Sequence, residues 1–275
     1  MGTCQRRLIR HAQDGCLPHL LDDVEIRPWV DEIAFVLVGS VATGLCADDS
    51  DVDIALVCDA QTYDHLSPGK AWGSGRPTEA TVGGVRLHYY GIALDEIAAK
   101  VEAHDDACFY VYAQTIILRD SQTGHGQRLG ALMDRASQLR GGRAEGKLDM
   151  LLRRSRALEA MLGGDDRDPI TVGRGALEVL TLMLKVAALL DDVPFDPRKR
   201  LFATALAGAT GEQLRRHFGN LSGQLGLLGD LANHSNDGDR FIEGVNTVVQ
   251  LLGQTAEGQG LRVGLDRPDH RHAER

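Results

Sequence analysis

The residues best suited to chemistry lie between Val38 and Leu56, where a buried strand, a glycine turn and two aspartates follow one another. Gly39 and Ser40 end the apolar run 33–38 in a tight turn that leads into a short helix, and Gly44 ends that helix. Glycine lets the backbone approach a ligand closely, and the amides that follow it point outward as a nest for anions. We therefore expect Gly39, Ser40 and Gly44 to form a phosphate-binding turn.

Two carboxylates follow this turn at a spacing of two. Asp51 and Asp53 enter the apolar run 52–58, and alternate residues of a strand project from the same face. A pair of carboxylates opposite a phosphate-binding turn suits Mg²⁺ with a triphosphate, because the hard cation binds carboxylate and phosphate oxygens together. The alternative is that both aspartates only begin a strand after the acidic turn 48–51.

Together, the segments Gly39-Ser40-Val41-Ala42-Thr43-Gly44 and Ser50-Asp51-Val52-Asp53 resemble the signature of the DNA-polymerase-beta-like nucleotidyltransferase superfamily. The resemblance implies transfer of a nucleoside monophosphate from an NTP to a hydroxyl or phosphate, with Mg²⁺ as cofactor. It also implies that Gly39 and Ser40 bind the triphosphate, whereas Asp51 and Asp53 bind the metal and are catalytic.

Two further segments look like the small bacterial, antibiotic-type branch of these transferases. They are the helical region after Ile116–Asp120 and the segment Pro194–Leu201. The resemblance to this branch implies a small-molecule acceptor of the antibiotic or natural-product type.

The sequence departs from the superfamily at its third carboxylate, which usually stands on a later strand between apolar residues. The equivalent strand here is 85–92, and His88 between Leu87 and Tyr89 occupies the matching position. Histidine suits Mg²⁺ poorly, but its ordinary pKa near 6.5 suits a general base, and we count His88 among the catalytic candidates. The alternative is a half-buried strand residue without a role.

A polar stripe runs along the most apolar predicted helix, 171–190. Arg174, Glu178, Thr181 and Lys185 follow at steps of four, three and four, which places them on one face. If that face lines a cleft, Lys185 and Arg174 would bind nucleotide phosphates and Glu178 would be the base for the acceptor hydroxyl. The alternative is an ordinary solvated face with an i,i+4 pair.

The predicted elements give an α+β fold with an N-terminal mixed-sheet nucleotidyltransferase domain followed by an all-α helical bundle. Strands are predicted at 33–38, 52–58, 85–92 and 110–118, with a Gly/Pro/Ser-rich loop at 67–84. Helices are predicted at 94–104, 126–139, 145–162 and 171–190, and shorter ones run to about residue 253. We divide the chain into a catalytic domain 1–125, a helical domain 126–255 and a mobile polar tail 256–275.

Composition restricts the partners of this chain of 275 residues. Its net charge of −9 argues against a nucleic-acid partner, since phosphate neutralisation needs clustered Lys and Arg. No apolar run reaches the length of a membrane span, and the first residues of the sequence lack the apolar core of a secretion signal, so we expect neither membrane insertion nor secretion. Five cysteines without a CxxC pair are typical of reduced thiols, so we expect a cytoplasmic protein.

Two readings of other classes stay open beside the enzyme with a small-molecule acceptor. One is a degenerate, non-catalytic nucleotide-binding protein with a regulatory or antitoxin-type role, favoured by the missing third carboxylate. The other is a transferase that modifies proteins with AMP. A carboxylate or His88 facing Asp51 and Asp53 favours the enzyme, whereas an apolar residue there favours the non-catalytic protein.

Overall fold

The computed structural model describes residues 2–66, 77–163, 168–193, 195, 201–218 and 235–263. The chain forms two compact units, Met1–Gln138 and Leu139–Arg275. The mixed sheet lies in the first unit and the second is helical, which confirms the α+β fold class.

A five-stranded mixed sheet organises the first unit. Its strands are β1 (Ala34–Val38), β2 (Val52–Cys58), β3 (Thr78–Val82), β4 (Val85–Ala93) and β5 (Ile116–Arg119), in the order β3-β4-β2-β1-β5. β2 runs parallel to β4 and antiparallel to β1, and the other two pairs are antiparallel. The central strands β1 and β2 are almost entirely buried, as their continuous apolar runs predict.

The N-terminal helical segment covers one face of this sheet. It consists of α1 (Thr3–His11), a π-helical turn (Ala12–Cys16) and α2 (Leu17–Leu21). Its buried residues recur every fourth position and join one face of the strands in a single core: Leu8, Ala12, Cys16 and Leu20 pack with Phe35, Leu37, Ile54, Leu56, Leu87 and Tyr89. Because side chains alternate along a strand, Val36, Asp53, Ala55 and His88 belong to the opposite face.

Short helices complete the first unit. A 3₁₀ turn (Arg27–Trp29) precedes β1, and then follow α3 (Gly39–Thr43), α4 (Ala60–Leu66), α5 (Leu94–Glu102), α6 (Asp106–Tyr112) and α7 (His125–Gln138). α7 contacts β1, β2 and β5, so the last predicted helix before residue 139 packs within the first unit.

Two predictions from local sequence were wrong. The predicted loop 67–84 contains β3, and of its remainder 67–76 lies outside the described residues. The predicted strand 110–118 is instead the end of α6 followed by β5, because Asp105 accepts a hydrogen bond from the Cys108 amide at 2.7 Å and begins a helix there. A run of aromatic and β-branched residues favours a strand locally, and the cap reverses that preference.

The second unit is built from α8 (Arg140–Gly163), α9 (Pro169–Leu190), α10 (Leu201–Ala205), α11 (Ala209–Phe218) and α12 (Ser235–Gly258). Asp168 caps the start of α9 and accepts from the Thr171 amide at 3.0 Å. Among the described residues, α9 contributes more buried apolar side chains to this unit than any other helix. α12 continues three residues beyond the predicted domain end, and 264–275 of the predicted tail lies outside the described residues.

No helix among the described residues is long and apolar enough to cross a membrane.

A buried histidine lies at the start of α7. The side chain of His125 is 1% exposed; its Nδ1 lies 2.9 Å from Ser121 Oγ and 2.6 Å from Thr123 Oγ1, and its Nε2 has no hydrogen-bond partner. Burial, followed by the charge of Arg128, lowers the pKa of His125 below its ordinary value. His125 is therefore neutral in the folded protein near pH 7.

We expect this histidine to make stability depend on pH. The pKa of His125 is near 6.5 in the unfolded chain and lower in the folded protein. At a pH between these two values the unfolded chain binds a proton that the folded protein does not. The stability that neutral His125 provides is therefore complete above pH ~6.5 and is lost as pH falls. Urea unfolding at a series of pH values should show this loss, with a slope of at most ~1.4 kcal/mol per pH unit. His125→Asn should reduce this dependence of the unfolding free energy on pH, whereas His19→Asn, on the exposed side of α2, should leave it unchanged. Equal slopes in all three proteins would refute the assignment.

Candidate functional site

The turn after β1 is shaped by two glycines in left-handed conformations. Gly39 is buried with φ +69°, and Gly44 ends α3 with φ +77°. Gln5 of α1 fixes the far end of the turn, because its Nε2 donates to the carbonyls of Val41 at 3.0 Å and Ala42 at 3.2 Å. These bonds satisfy carbonyls that a helix end leaves without partners.

Gly39 lies directly against the carboxylate of Asp53. In the β1–β2 pair, Val38 stands opposite Asp53, and a Cβ added to Gly39 would be only 2.8 Å from Asp53 Oδ2. Glycine is therefore required for two reasons, its backbone angle and the space that the carboxylate occupies. The phosphate-binding turn and the carboxylate predicted from sequence do come together.

His88 lies beside both aspartates, as its predicted position implies. It stands next to Asp53 across the β2–β4 pair, and its Nδ1 is 3.5 Å from Asp53 Oδ1 and 3.6 Å from Asp51 Oδ2. Only 19% of its side chain is exposed. An ionisable side chain therefore faces the carboxylate pair, which is the arrangement that favours an enzyme over a non-catalytic protein.

Two residues of this cluster were missed by the sequence analysis. Glu79 of β3 stands opposite His88, with Oε1 3.8 Å from His88 Nε2, and Arg86 of β4 brings Nη2 to 2.7 Å from Asp51 Oδ1. Glu79 was overlooked because the loop predicted at 67–84 hid the strand that carries it. Its signal was the alternation of Thr78–Val82 before the glycine pair Gly83-Gly84, which is typical of a hairpin.

One carboxylate oxygen of the cluster is buried and has no hydrogen-bond donor. Asp51 Oδ1 is buried and accepts no hydrogen bond, although Arg86 approaches it as an ion pair. The guanidinium already provides a cation at this oxygen, and a metal ion bound there would have to replace it.

A pair of tyrosines lies behind the carboxylates. The hydroxyls of Tyr90 and Tyr112 are 3.2 Å apart. Burial raises the pKa of Tyr90 to about 12, the hydrogen bond with Tyr112 opposes this rise, and the charge of Asp53 adds to it. Tyr90 therefore keeps its proton and remains a hydrogen-bond donor close to Asp53.

The donor set fits Mg²⁺ better than a softer metal. Among the described residues, no three His, Cys, Asp or Glu side chains form a complete metal site. Mg²⁺ does not need one, because it usually takes one or two protein carboxylates and completes its shell with water and substrate phosphates. Asp51 with its unbonded oxygen and Asp53 beside the glycine turn provide such a pair.

The predicted stripe of α9 lies on the less buried side of that helix. Arg174 is exposed and Glu178, Thr181 and Lys185 are partly buried. Glu178 pairs with Arg154 of α8, Oε1 to Nε at 3.2 Å, and Thr181 Oγ1 donates to the carbonyl of its own helix at 2.7 Å. The nucleotide-binding and catalytic roles of the stripe stay predictions. Of the segment Pro194–Leu201, residues 194 and 196–200 lie outside the described residues.

A groove of about 540 Å³ in the second unit has a different character. Two glutamates, Glu159 and Glu243, line it together with apolar and amide side chains, and no basic residue lines it in the part of the chain that the structure describes. Acidic walls without a basic residue do not suit a triphosphate, so the carboxylate cluster of the first unit remains the candidate site.

No family model matches the chain, and no curated protein matches it either. Among solved structures, the chain is similar to a nucleotidyltransferase-like protein from Exiguobacterium sibiricum 255-15, solved at 1.90 Å resolution. The match covers 88% of this chain and 77% of that one, with 9% sequence identity and a TM-score of 0.49. The roles of the site residues therefore rest on the geometry of this chain.

We expect Gly39→Ala to destabilise the protein more than the same change at a glycine with free space around it. The left-handed backbone alone costs roughly 1–2 kcal/mol for a residue with a Cβ. At Gly39 the new Cβ also displaces the Asp53 carboxylate, whereas at Gly84, with φ +81°, no atom lies within 4 Å. Urea unfolding should therefore show a larger loss for Gly39→Ala than for Gly84→Ala. Equal losses would mean that the carboxylate does not restrict this position.

Proposed function

We propose that the protein is a Mg²⁺-dependent nucleotidyltransferase that moves a nucleoside monophosphate from an NTP to a hydroxyl or phosphate of a small molecule. The observation that carries the proposal is the meeting of Gly39, Asp51, Asp53 and His88. The two carboxylates lie within 3.6 Å of one imidazole nitrogen, and one of them touches the glycine turn.

Asp51 and Asp53 would hold the metal. Bound Mg²⁺ offsets the negative charge of the phosphate oxygens and orients them for in-line displacement. The chain's own contribution is to fix Asp53 within β2, which is paired on both sides, and to place Asp51 directly before the first residue of that strand.

The turn Gly39-Ser40 would receive the triphosphate. Gly39 gives the backbone the left-handed conformation from which α3 begins, and the amides at the start of α3 would bind phosphate oxygens. Ser40 is partly exposed at the start of α3 and can donate its hydroxyl hydrogen to a phosphate oxygen. Gly44 ends α3 in a left-handed conformation, and Gln5 binds the carbonyls of Val41 and Ala42 just before it.

His88 is the candidate general base. The acceptor oxygen attacks the α-phosphorus, its proton passes to the imidazole, and pyrophosphate leaves with the electron pair of the broken P–O bond. Glu79, near the other ring nitrogen, would stabilise the imidazolium that forms. Glu79 of β3 would thus supply the negative charge that a third carboxylate at the position of His88 on β4 would otherwise provide.

The acceptor is proposed to be a small molecule of the antibiotic or natural-product type, in the cytoplasm. The net charge of −9 disfavours nucleic acid as acceptor and suits a cationic molecule. This proposal also rests on the resemblance to the antibiotic-type branch in the sequence.

A non-catalytic nucleotide-binding protein is the second candidate, and the Arg86–Asp51 ion pair favours it. A guanidinium 2.7 Å from Asp51 already offsets one of the charges that would attract the metal. Such a protein would bind NTP and release no pyrophosphate.

We expect Asp53→Asn to abolish Mg²⁺-dependent release of pyrophosphate while the fold is retained. The change removes one ligand charge and keeps the shape of the side chain. Asp49→Asn, in the exposed turn before β2, is the matched control and should keep full activity. The measurement is pyrophosphate release with each of the four NTPs and a panel of hydroxylated acceptors, with circular dichroism to check the fold.

Three outcomes would distinguish the two candidates. Turnover that survives Asp53→Asn would refute the site. An NTP-dependent thermal shift in the wild type without pyrophosphate release would favour the non-catalytic protein. Neither binding nor release would reject both.

We expect two substitutions on α9 to affect different kinetic quantities, one the binding of NTP and the other kcat. Lys185→Ala should weaken NTP binding, because a charge that neutralises phosphates acts in the ground state as well. If Glu178 rather than His88 accepts the proton of the acceptor hydroxyl, Glu178→Gln should keep NTP binding and lower kcat by ~10²–10⁴-fold, the usual loss for a general base. The control is Arg154→Gln, which breaks the same surface ion pair. If Arg154→Gln and Glu178→Gln have equal effects, Glu178 acts only through the pair.

A further inference from the structure

The N-terminal helix binds the chain segment that connects the glycine turn to the two aspartates. This connector comprises residues 44–50. Arg7 Nη2 donates to the carbonyl of Asp48 at 2.9 Å, and Gln5 Nε2 donates to the carbonyls of Val41 and Ala42, just before the connector. α1 therefore binds the connector at Asp48 and the turn that leads into it.

Two cysteines face each other between these contacts. Cys4 of α1 donates its thiol hydrogen at 3.1 Å to the carbonyl of Ala47, the residue that follows Cys46, and the side chains of Cys4 and Cys46 interact. Both side chains are partly exposed. The two cysteines are therefore neighbours that a small reagent can reach.

The other three cysteines are different. Cys16, Cys58 and Cys108 are buried in the first unit, and each has an apolar or backbone environment. Burial raises the pKa of Cys16 to about 11 and, together with the charge of Asp59, that of Cys58 to about 12. These buried thiols provide internal controls for any reaction at the surface pair.

We propose that Cys4 and Cys46 are a reversible disulfide site that fastens α1 to the connector when a small-molecule disulfide of the glutathione type is present. The inference stands on the two neighbouring cysteines and on the contacts of α1 with the connector. It does not depend on nucleotide transfer.

The reaction balances as a thiol–disulfide exchange. One thiolate attacks the small disulfide and releases one small thiol, and the second cysteine displaces the other small thiol as the protein disulfide forms. The protein loses two hydrogens, which leave on the two small thiols, and the small disulfide is reduced. Excess small thiol reverses both steps.

Burial, and then the hydrogen bond and charge of Cys4, raise the pKa of the Cys46 thiol. Whichever cysteine is modified first, the other lies beside the mixed disulfide and displaces the second small thiol.

The bond would restrict the connector and the unfolded chain together. It closes a loop of about 40 residues, which reduces the entropy of the unfolded state. We expect oxidation to raise Tm by about 5–10 °C, the range for such a loop in a unit of this size. Amide hydrogens of residues 44–50 should exchange more slowly in the oxidised protein.

The test uses the full chain, first reduced and then equilibrated with glutathione disulfide and glutathione at a series of ratios. After trapping of free thiols, non-reducing peptide mapping should show one cross-link, between the peptides of Cys4 and Cys46, with the rise in Tm. Cys46→Ala should give only the glutathione adduct on Cys4 and no rise in Tm. Cys16→Ala, at a buried thiol, should still form the cross-link.

Other results would overturn the proposal. A wild type that accumulates only glutathione adducts on Cys4 or Cys46 would show that the sulfurs cannot bond. A cross-link that includes Cys16, Cys58 or Cys108 would show that opening of the fold determines the chemistry. If neither thiol reacts while thiols of the urea-unfolded chain do, the surface pair is not a modification site.

Discussion

The close approach of Gly39 to the Asp53 carboxylate is the constraint on which the rest of the site depends. It follows from one register: β1 and β2 pair so that Val38 stands opposite Asp53, and the chain must then turn within a single residue. A Cβ at Gly39 would lie 2.8 Å from the carboxylate oxygen, and the backbone angle of +69° excludes most other residues as well. The strand register therefore determines both the geometry of the turn and the position of the carboxylate.

The same register extends across the sheet and gathers the remaining site residues. Asp53 stands beside His88, and His88 beside Glu79, so one row across β2, β4 and β3 carries three ionisable side chains on one face. Because side chains alternate, the other face of the same strands stays apolar and binds the N-terminal helix. That helix in turn binds the end of the glycine turn through Gln5 and the connector through Arg7. The packing that stabilises the sheet thus also holds the far end of the glycine turn and the segment that follows it.

Some of this could be read from the sequence because it is local. The glycine turn, the spacing of Asp51 and Asp53 and the strand that carries His88 each depend on a few consecutive residues. The contacts of Glu79 and Arg86 depend on which strands are neighbours, and no periodicity within one strand contains that information. The α6 segment shows the converse case, since a single cap at Asp105 outweighs a run of residues that favour a strand. Glu178 and Lys185 were assigned from helical spacing alone. Helical spacing predicts which face of the helix a residue occupies, but it does not predict what that face contacts.

The charges of the cluster define what the site can do. Asp51, Asp53 and Glu79 bring three negative charges and Arg86 brings one positive charge, while His88 adds another only when it is protonated. With a neutral imidazole, the net charge of the five side chains is negative, and this attracts a divalent cation. The side chain of Arg86 is long and mostly exposed, so its guanidinium can leave Asp51 for an incoming phosphate without disturbing the strands. In the proposed function, such an exchange would keep an anionic partner for the guanidinium and would make Asp51 available to a metal when the triphosphate binds. Nucleotide and metal would then bind together more strongly than either binds alone, which is the behaviour a transferase requires and a simple nucleotide sensor does not.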